Sequence, residues 1–234
     1  QDFAYVASHD LQEPLRKIRA FADLLATDYR DRIDAEGQYY LNRVQDAAGR
    51  MSDLLSALLE YSRVSTQGRV FEPVDLNLLA AEVASDLEVL TTEVGGRIEI
   101  GRLPRIEADA VQMRQLLQNL VGNALKFHRP GVPPVVKVSG STAPGDTPRG
   151  TCRIEVADNG IGFDEKYLDR IFSPFERLHT RGDYAGTGMG LAICRRIVER
   201  HHGTIDARSR EDEGSTFLVT LPVKRTKDEV RSAK

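Results

Sequence analysis

The first 64 residues carry apolar positions at heptad spacing. Ala4, Ser8, Leu11, Leu15, Ile18, Ala22 and Leu25 step by 4, 3, 4, 3, the mark of a helix with a packed seam. Tyr40, Val44, Ala47, Met51, Leu54, Leu58 and Tyr61 repeat the same steps. "DYRDRIDAEG" between them reads as a short turn, so the pattern predicts an antiparallel helical hairpin. Leu41, Leu55 and Leu59 add a second stripe to the second helix. Two helices alone cannot bury two stripes. A homodimer completing a four-helix bundle is the expected solution; packing on the chain's own C-terminal part is the alternative. His9 falls one residue past the seam position Ser8, on the flank, with Asp10 beside it. Pro14 lies five residues after His9 and is expected to kink the helix or free a backbone carbonyl.

Beyond the hairpin the periodicity changes. "SRVSTQGRVFEPVDL" breaks the helix with Gly68 and Pro73 and reads as a linker leading to a short strand. A helix follows from about Asp75 to Leu90, then strands near "RIEIG" and "RIEA". Asp109 is a plausible N-cap for a helix reaching about Phe127. "PVVKVSG" and "TCRIEVAD" read as strands joined by the Gly/Pro-rich hairpin "STAPGDTPRG". A Gly-rich stretch precedes the helix "LAICRRIVERHH", and "GTIDARS" and "STFLVTLP" are the last two strands. The expected layout is a helical domain over 1–64, a linker over 65–74, an α+β domain over 75–225 and a polar tail over 226–234. The second domain is expected to be a sandwich, a mostly antiparallel sheet with helices on one face.

Composition narrows the function classes. Hydrophobic residues make up 41% of the 234, enough for a real core. Lys+Arg number 32 against 35 Asp+Glu, a net charge of −3, so no bulk basic excess points to nucleic acid. The two cysteines, Cys152 and Cys194, show no metal-site spacing and fit a reducing compartment. No apolar run approaches the roughly 18 residues of a membrane span, and no signal peptide is evident. The expected location is cytoplasmic. The chain opens at Gln1, already in helical pattern, and reads as a fragment, with an upstream sensor or membrane attachment left open.

Three stretches of the second domain carry chemistry. In "DAVQMRQLLQNLVGNALKF", Met113, Leu117, Leu120, Ala124 and Phe127 form an apolar stripe, and Gln112, Gln115, Asn119, Asn123 and Lys126 a polar one beside it. The bland reading is a solvated face. Yet asparagine is a mediocre helix former, amide oxygens suit Mg²⁺, and a lysine one turn on could meet phosphate. In "VADNGIGFD", Asp158, Gly160 and Gly162 directly follow a strand. This is either a plain turn or a pocket floor whose carboxylate accepts from an exocyclic amine, with glycines allowing close backbone approach. In "GTGMGLAICRRIVE", Gly186, Gly188 and Gly190 open onto a helix N-terminus, a natural anion site or simple loop-to-helix packing. The P-loop pattern GxxxxGK[ST] is absent, and a Rossmann fingerprint is disfavoured because no strand immediately precedes the glycines.

The order of these stretches resembles a family. "SHDLQEPL" is similar to the H box of two-component sensor histidine kinases, "NLVGNALKF" to the N box and "DNGIGF" to the G1 box. "IFSPFERL" is similar to the F box and "GTGMGLAI" to the G2 box. The resemblance runs roughly from Phe3 to Pro222, and the H box is similar to that of kinases coupled to phytochrome-like photosensors. It implies a HisKA-type dimeric four-helix bundle followed by an α+β sandwich ATP-binding domain of the Bergerat (GHKL) type. It implies ATP and Mg²⁺, a homodimer, a response regulator receiver domain as partner, and a sensor upstream.

By that resemblance His9 is the phosphoacceptor, and Asp10 fixes its tautomer and steadies the imidazolium. Asn123 is the Mg²⁺ ligand, Asn119 lies near the metal or phosphates, and Lys126 contacts phosphate. Asp158 takes the adenine amino group, and Gly160 and Gly162 shape that wall. Gly186, Gly188 and Gly190 hinge a lid and offer backbone N–H groups to phosphate. Phe172 and Phe175 are lid anchors or plain core; Arg177 and Arg181 are lid cations or plain surface; Thr216 lines the adenine pocket.

One position departs from the family. Four residues after the histidine, many members use Thr or Asn to orient the water that dephosphorylates the partner. Here Glu13 stands there, so weak or absent phosphatase activity toward a partner is expected. Three other readings compete. A gyrase-, Hsp90- or MutL-like ATPase would place a glutamate base where Asn119 stands. A degenerate docking module would not bind Mg-ATP. A protein-serine kinase of the same fold would give an acid-stable product.

Overall fold

The computed structural model describes residues 2–66, 68–143, 150–178, 184 and 186–223; for 2–10, 65 and 143 it describes the backbone alone. Most of the expected hairpin between "PVVKVSG" and "TCRIEVAD", the polar tail and Arg181 lie outside the described residues. The chain divides into two compact units, Gln1–Thr66 and Gln67–Lys234.

The first unit is the helical hairpin. Helix α1 spans Asp2–Asp28 and α2 spans Ala35–Thr66. A single 3₁₀ turn, Arg30–Arg32, joins them, and the Asp34 carboxylate accepts the Gly37 N–H at 2.8 Å to start α2. Helix α1 continues through Pro14; the missing proline N–H leaves the Asp10 carbonyl without its intrahelical donor. The expected seam divides in two. Leu15 and Ala22 turn inward and are buried with Ala48 and Leu59 of α2, whereas Leu11, Ile18, Leu25, Tyr40, Val44 and Met51 stay exposed. On α2 the seam is open in its first half, at Tyr40, Val44 and Met51, while Ala47, Leu54, Leu58 and Tyr61 are half-buried like Leu41 and Leu55 of the second stripe.

The second unit is built on a five-stranded mixed sheet in the order β2-β4-β5-β7-β6. Its strands are β2 (Arg97–Ile100), β4 (Val135–Ala143), β5 (Thr151–Asp158), β6 (Thr204–Arg210) and β7 (Gly214–Pro222). Only β2 with β4 is parallel among the described pairings; the rest are antiparallel. A separate ribbon pairs β1 (Glu72–Asp75) with β3 (Arg105–Ala108). The expected linker over 65–74 thus runs into regular structure at both ends, since α2 reaches Thr66 and β1 begins at Glu72.

Helices α3 (Leu76–Asp86), α5 (Ala110–Lys126) and α7 (Gly190–Arg200) pack on the sheet, with short α4 (Glu88–Glu93) and α6 (Leu168–Ile171) at the edges. The single helix expected from Asp75 to Leu90 is instead α3 and α4. Asp75 is the N-cap of α3, taking the Asn77 and Leu78 N–H groups, and the chain leaves helical geometry at Leu87. The buried stripe Leu76, Leu79, Ala80, Val83 ends there, and Val89 is exposed. Helix α5 is the core element. Asp109 caps it through the Val111 and Gln112 N–H groups, and Met113, Leu116, Leu117, Leu120, Val121, Ala124 and Leu125 are all buried. No helix among the described residues is long and apolar enough to cross a membrane.

Candidate active site

The C-terminal end of α5, the end of β5, the start of α7 and the segment from Ile171 to Leu178 enclose a cavity in the second unit. Asn123, Lys126, Asp158, Gly162, Gly186, Gly188 and Gly190 all line it. Its remaining wall is largely apolar, from Ile161, Phe163, Ile171, Leu178, Leu191 and Phe217. The cavity thus has a hydrophobic slot that holds the Asp158 carboxylate, with Glu176 on its wall, and, beyond it, a cationic end. That suits a flat heterocycle joined to a polyanion.

Asp158 ends β5. Its Oδ1 accepts the Gly160 N–H at 2.8 Å and the Ser215 N–H at 3.1 Å. Both bonds fall on one oxygen, so among the described residues no donor meets Oδ2, and the ionised carboxylate keeps acceptor capacity at the cavity it lines. Burial pushes the carboxyl up to about 6, against the pull of those two N–H groups. It is still ionised at neutral pH. The turn behind it needs glycine at Gly162, where φ is +59° and a Cβ would strike the Arg210 carbonyl.

At the other end Lys126 is half-buried, 4.2 Å from the centroid of the Phe127 ring. Burial and then the neighbouring Arg177 lower its pKa below the ordinary lysine value, and no described carboxylate pairs with it. Two cations crowded without an anion between them are stabilised by a bound anion. Arg177 donates to the carbonyls of Tyr184 at 2.5 Å and Gly186 at 2.7 Å, tying down the segment that carries the glycines. Helix α7 begins here with Met189 at its N-cap and no side-chain acceptor. Its first-turn N–H groups and the positive end of its dipole face the cavity that Gly190 and Leu191 line. Asn123 offers a hard amide oxygen at the same end, the donor type Mg²⁺ takes when substrate phosphates complete its shell. Among the described residues there is no cluster of three His, Cys, Asp or Glu that could hold a metal alone.

Several expected residues sit elsewhere. Asn119 does not line the cavity; its amide donates to the Gly190 carbonyl at 3.4 Å and so supports the start of α7. Gly160 lies behind the wall and serves Asp158. Thr216 is not among the residues lining this cavity: by the two-residue period of a strand Ser215 and Phe217 line it, and Thr216 lines an adjoining depression that shares Asp158, Phe163 and Ser215 with it. Phe172 is buried and packs edge-on to Phe217 at 6.5 Å, which is core. Phe175 is exposed at a φ of +64°. The side chains of His9 and Asp10 lie outside the described residues, although their backbone is helical. Ser215 and the Tyr184 contact were missed. The Tyr184 ring packs tilted against Phe127 at 5.0 Å, and its hydroxyl donates to the His128 carbonyl; no local signal in "RGDYAGTG" announces it. Both cysteine thiols are buried and pushed up to about 12, so neither is a nucleophile.

Comparison with known proteins agrees with this division. Residues 108–225 match the family of histidine kinase-, DNA gyrase B- and HSP90-like ATPases, and residues 1–67 match the His Kinase A (phospho-acceptor) domain. Cyanobacterial phytochrome A of Nostoc sp. is 39% identical over 94% of this chain and 28% of its own length. Phytochrome-like protein Cph1 of Synechocystis sp. is 38% identical over 94% and 29%. The chain therefore spans under a third of these curated relatives. Among solved structures, full-length ShkA in complex with AMPPNP has a TM-score of 0.69 at 28% identity, covering 94% of this chain and 45% of that one. The catalytic domain of histidine kinase ThkA has a TM-score of 0.54 at 30% identity, covering 67% of this chain and 100% of that one. The chain belongs to the histidine kinase-, DNA gyrase B- and HSP90-like ATPase family, and within it to the two-component sensor histidine kinases, whose catalytic core it spans.

Proposed function

We propose that this core is a protein histidine kinase that phosphorylates His9 from ATP and passes the phosphoryl group to an aspartate of a response regulator receiver domain. The observation that carries the reading is the cavity itself, where the open oxygen of Asp158 lies across from Lys126, Asn123 and the N-terminus of α7. Asp158 would accept from the adenine amine, Lys126 and the α7 amides would hold phosphate, and Asn123 would hold Mg²⁺, which would supply charge neutralisation at the phosphates. The His9 imidazole nitrogen forms the new bond to the γ-phosphorus as the bond to the β,γ-bridging oxygen breaks, and ADP leaves. Asp10 accepts from the other ring nitrogen and holds the positive charge that develops there. The rest of the protein's work is alignment and charge neutralisation.

The exposed seam of the hairpin supports a homodimer, since Ile18, Leu25, Val44 and Met51 would otherwise remain in water. We place the activity in the cytoplasm, where ATP is available, and take the sensor to lie in the remainder of a longer protein. A plain ATP hydrolase is disfavoured because the position such enzymes give to a glutamate base is Asn119, which is turned to the Gly190 carbonyl.

The test is incubation with γ-labelled ATP and Mg²⁺, comparing the chain with His9→Gln and treating the product with acid. Acid-labile label that vanishes in the variant is expected. Acid-stable label would mean a serine kinase, and label-free hydrolysis of ATP would mean an ATPase.

A further inference from the structure

A lysine on a flexible stem loses rotamer freedom when it meets a ligand. It binds better where its ammonium already stands at the contact point. Two neighbours place the Lys126 ammonium. Its Nζ lies 4.2 Å from the centroid of the Phe127 ring, a cation–π contact. Gly186 approaches it from the chain before α7: a Cβ there would stand 2.7 Å from Nζ, so only a glycine lets the backbone come this close. The ring contact helps only if the ring itself is fixed. Helix α5 does not fix it, because Phe127 is the C-cap and has left helical geometry at a ψ of 44°. The Phe127 backbone is held separately, its N–H by the Asn123 carbonyl and its carbonyl by the Ile161 N–H at 3.0 Å.

Tyr184 fixes the ring. Its own ring packs against Phe127 at 5.0 Å, tilted by 51°. Its hydroxyl donates to the carbonyl of His128, the next residue, at 3.1 Å. Its backbone carbonyl accepts from Arg177 at 2.5 Å, and the same guanidinium donates to the Gly186 carbonyl at 2.7 Å. Tyr184 thus joins the two neighbours of the ammonium, holding Phe127 by its side chain and sharing Arg177 with Gly186 by its backbone. It is not among the residues that line the cavity, so it acts on a ligand through others. The adenine slot is built from other contacts. The Gly160 and Ser215 N–H groups hold Asp158, and Phe217 packs edge-on to Phe172.

We propose that Tyr184 is a positioning residue for the phosphate end of the cavity: it fixes the Phe127 ring beneath the Lys126 ammonium and docks Gly186 against the same charge. The role rests on the nucleotide reading above and deepens it. Its consequence is one-sided. Loss of Tyr184 frees the Phe127 ring and lets the ammonium wander, while the Asp158 slot keeps its own bonds. Recognition of phosphate should weaken and recognition of adenosine should not.

The test uses the full chain with Tyr184→Phe, which keeps the ring and loses the His128 bond, and Tyr184→Ala, which loses both. Affinities for Mg-ATP, ADP and adenosine are measured by calorimetry, or by NMR titration where binding is weak. ATP and ADP affinity should fall about fivefold in Tyr184→Phe, the worth of one hydrogen bond. They should fall about 30-fold in Tyr184→Ala, where the ring support goes as well. Adenosine affinity should stay within twofold in both variants, which also shows that the unit is folded. ATP and adenosine affinities that fall by the same factor overturn the positioning role, since general damage to the fold would do that. Unchanged ATP affinity in Tyr184→Ala overturns it too. A parent that binds ATP no more tightly than adenosine overturns the phosphate reading of the Lys126 end and this role with it. That failure shows in the parent, whereas failure of the Tyr184 role alone shows only in the variants.

Discussion

In the ATP-binding unit the large apolar side chains are inside: Leu76, Met113, Leu116, Leu120 and Leu125 are each 0% exposed. In the hairpin, Ile18, Leu25, Val44 and Met51 each keep between 45% and 52% of their surface exposed. One unit has finished burying its core within a single chain, and the other has not. At about 25 cal/mol per Å² of apolar surface, an open seam of this kind is a standing drive toward association. The ATP-binding unit spends its burial on a cavity whose Asp158 carboxylate costs stability. The hairpin buries Leu15, Ala22, Ala48, Leu59 and Val64 within one chain and leaves Ile18, Leu25, Val44 and Met51 in water.

The sharpest way to break this contrast is Met51→Glu. A charge at the seam would have to be buried twice in a symmetric dimer, at several kcal/mol in total. Dimer affinity should fall about 1000-fold, which is about 4 kcal/mol, read by sedimentation, with ATP affinity unchanged. A dimer that survives the change would mean the seam faces something other than a second hairpin.

Asp158→Asn tests the other unit. The amide oxygen can keep the Gly160 and Ser215 N–H bonds, and its NH₂ then points where Oδ2 was, donor against donor. ATP affinity should fall about 100-fold, near 3 kcal/mol, measured calorimetrically. The parent's ATP affinity should also drop as pH falls below about 6, where Asp158 takes up a proton. Stability moves the other way. A carboxyl raised from 3.8 to about 6 contributes its stabilisation fully below 3.8 and loses it as pH rises through 6. At pH 7.5 the variant should therefore be more stable than the parent, by on the order of 2–3 kcal/mol, and near equal at pH 4. Urea titrations at the two pH values read this directly. A residue that costs stability and gains a ligand is one kept for function.

How much of this was legible follows from the physics of each signal. Heptad spacing gave the two long helices because a helix repeats its buried face over many residues. Which heptad positions close the hairpin and which stay open was not legible, since Leu15 and Leu11 look alike in sequence and only the rotation of the helix separates them. Strand alternation gave β7, yet a shift of one residue exchanges Ser215 for Thr216, and local sequence does not fix which faces inward. Asn123, Lys126 and Asp158 were legible because one helix face and one strand end carry them. The ion pair of Asp109 with Arg200 and the Arg69 N–H bond to Asp109 were not, because their members are 91 and 40 residues apart in sequence and each reads alone as a surface charge or an N-cap.

The smallest expected effect belongs to Glu13. It lies one turn past His9 on α1 and pairs with Lys17 at 2.7 Å, with both side chains more than half exposed. An exposed i,i+4 pair of this kind contributes about 0.3–0.5 kcal/mol, so Glu13→Thr should leave the hairpin's stability and dimerisation nearly unchanged. What changes is the chemistry beside His9, the proposed acceptor. A carboxylate can neither donate a hydrogen bond to a phosphoryl oxygen nor welcome one, whereas a threonine hydroxyl can orient a water toward it. Loss of label from a phosphorylated regulator should be slow with the parent and several-fold faster with the variant, while His9 labelling stays within twofold. Rapid loss already in the parent would show that the acid does not block the reaction, and the open hairpin would then be a phosphatase surface as well as a kinase substrate.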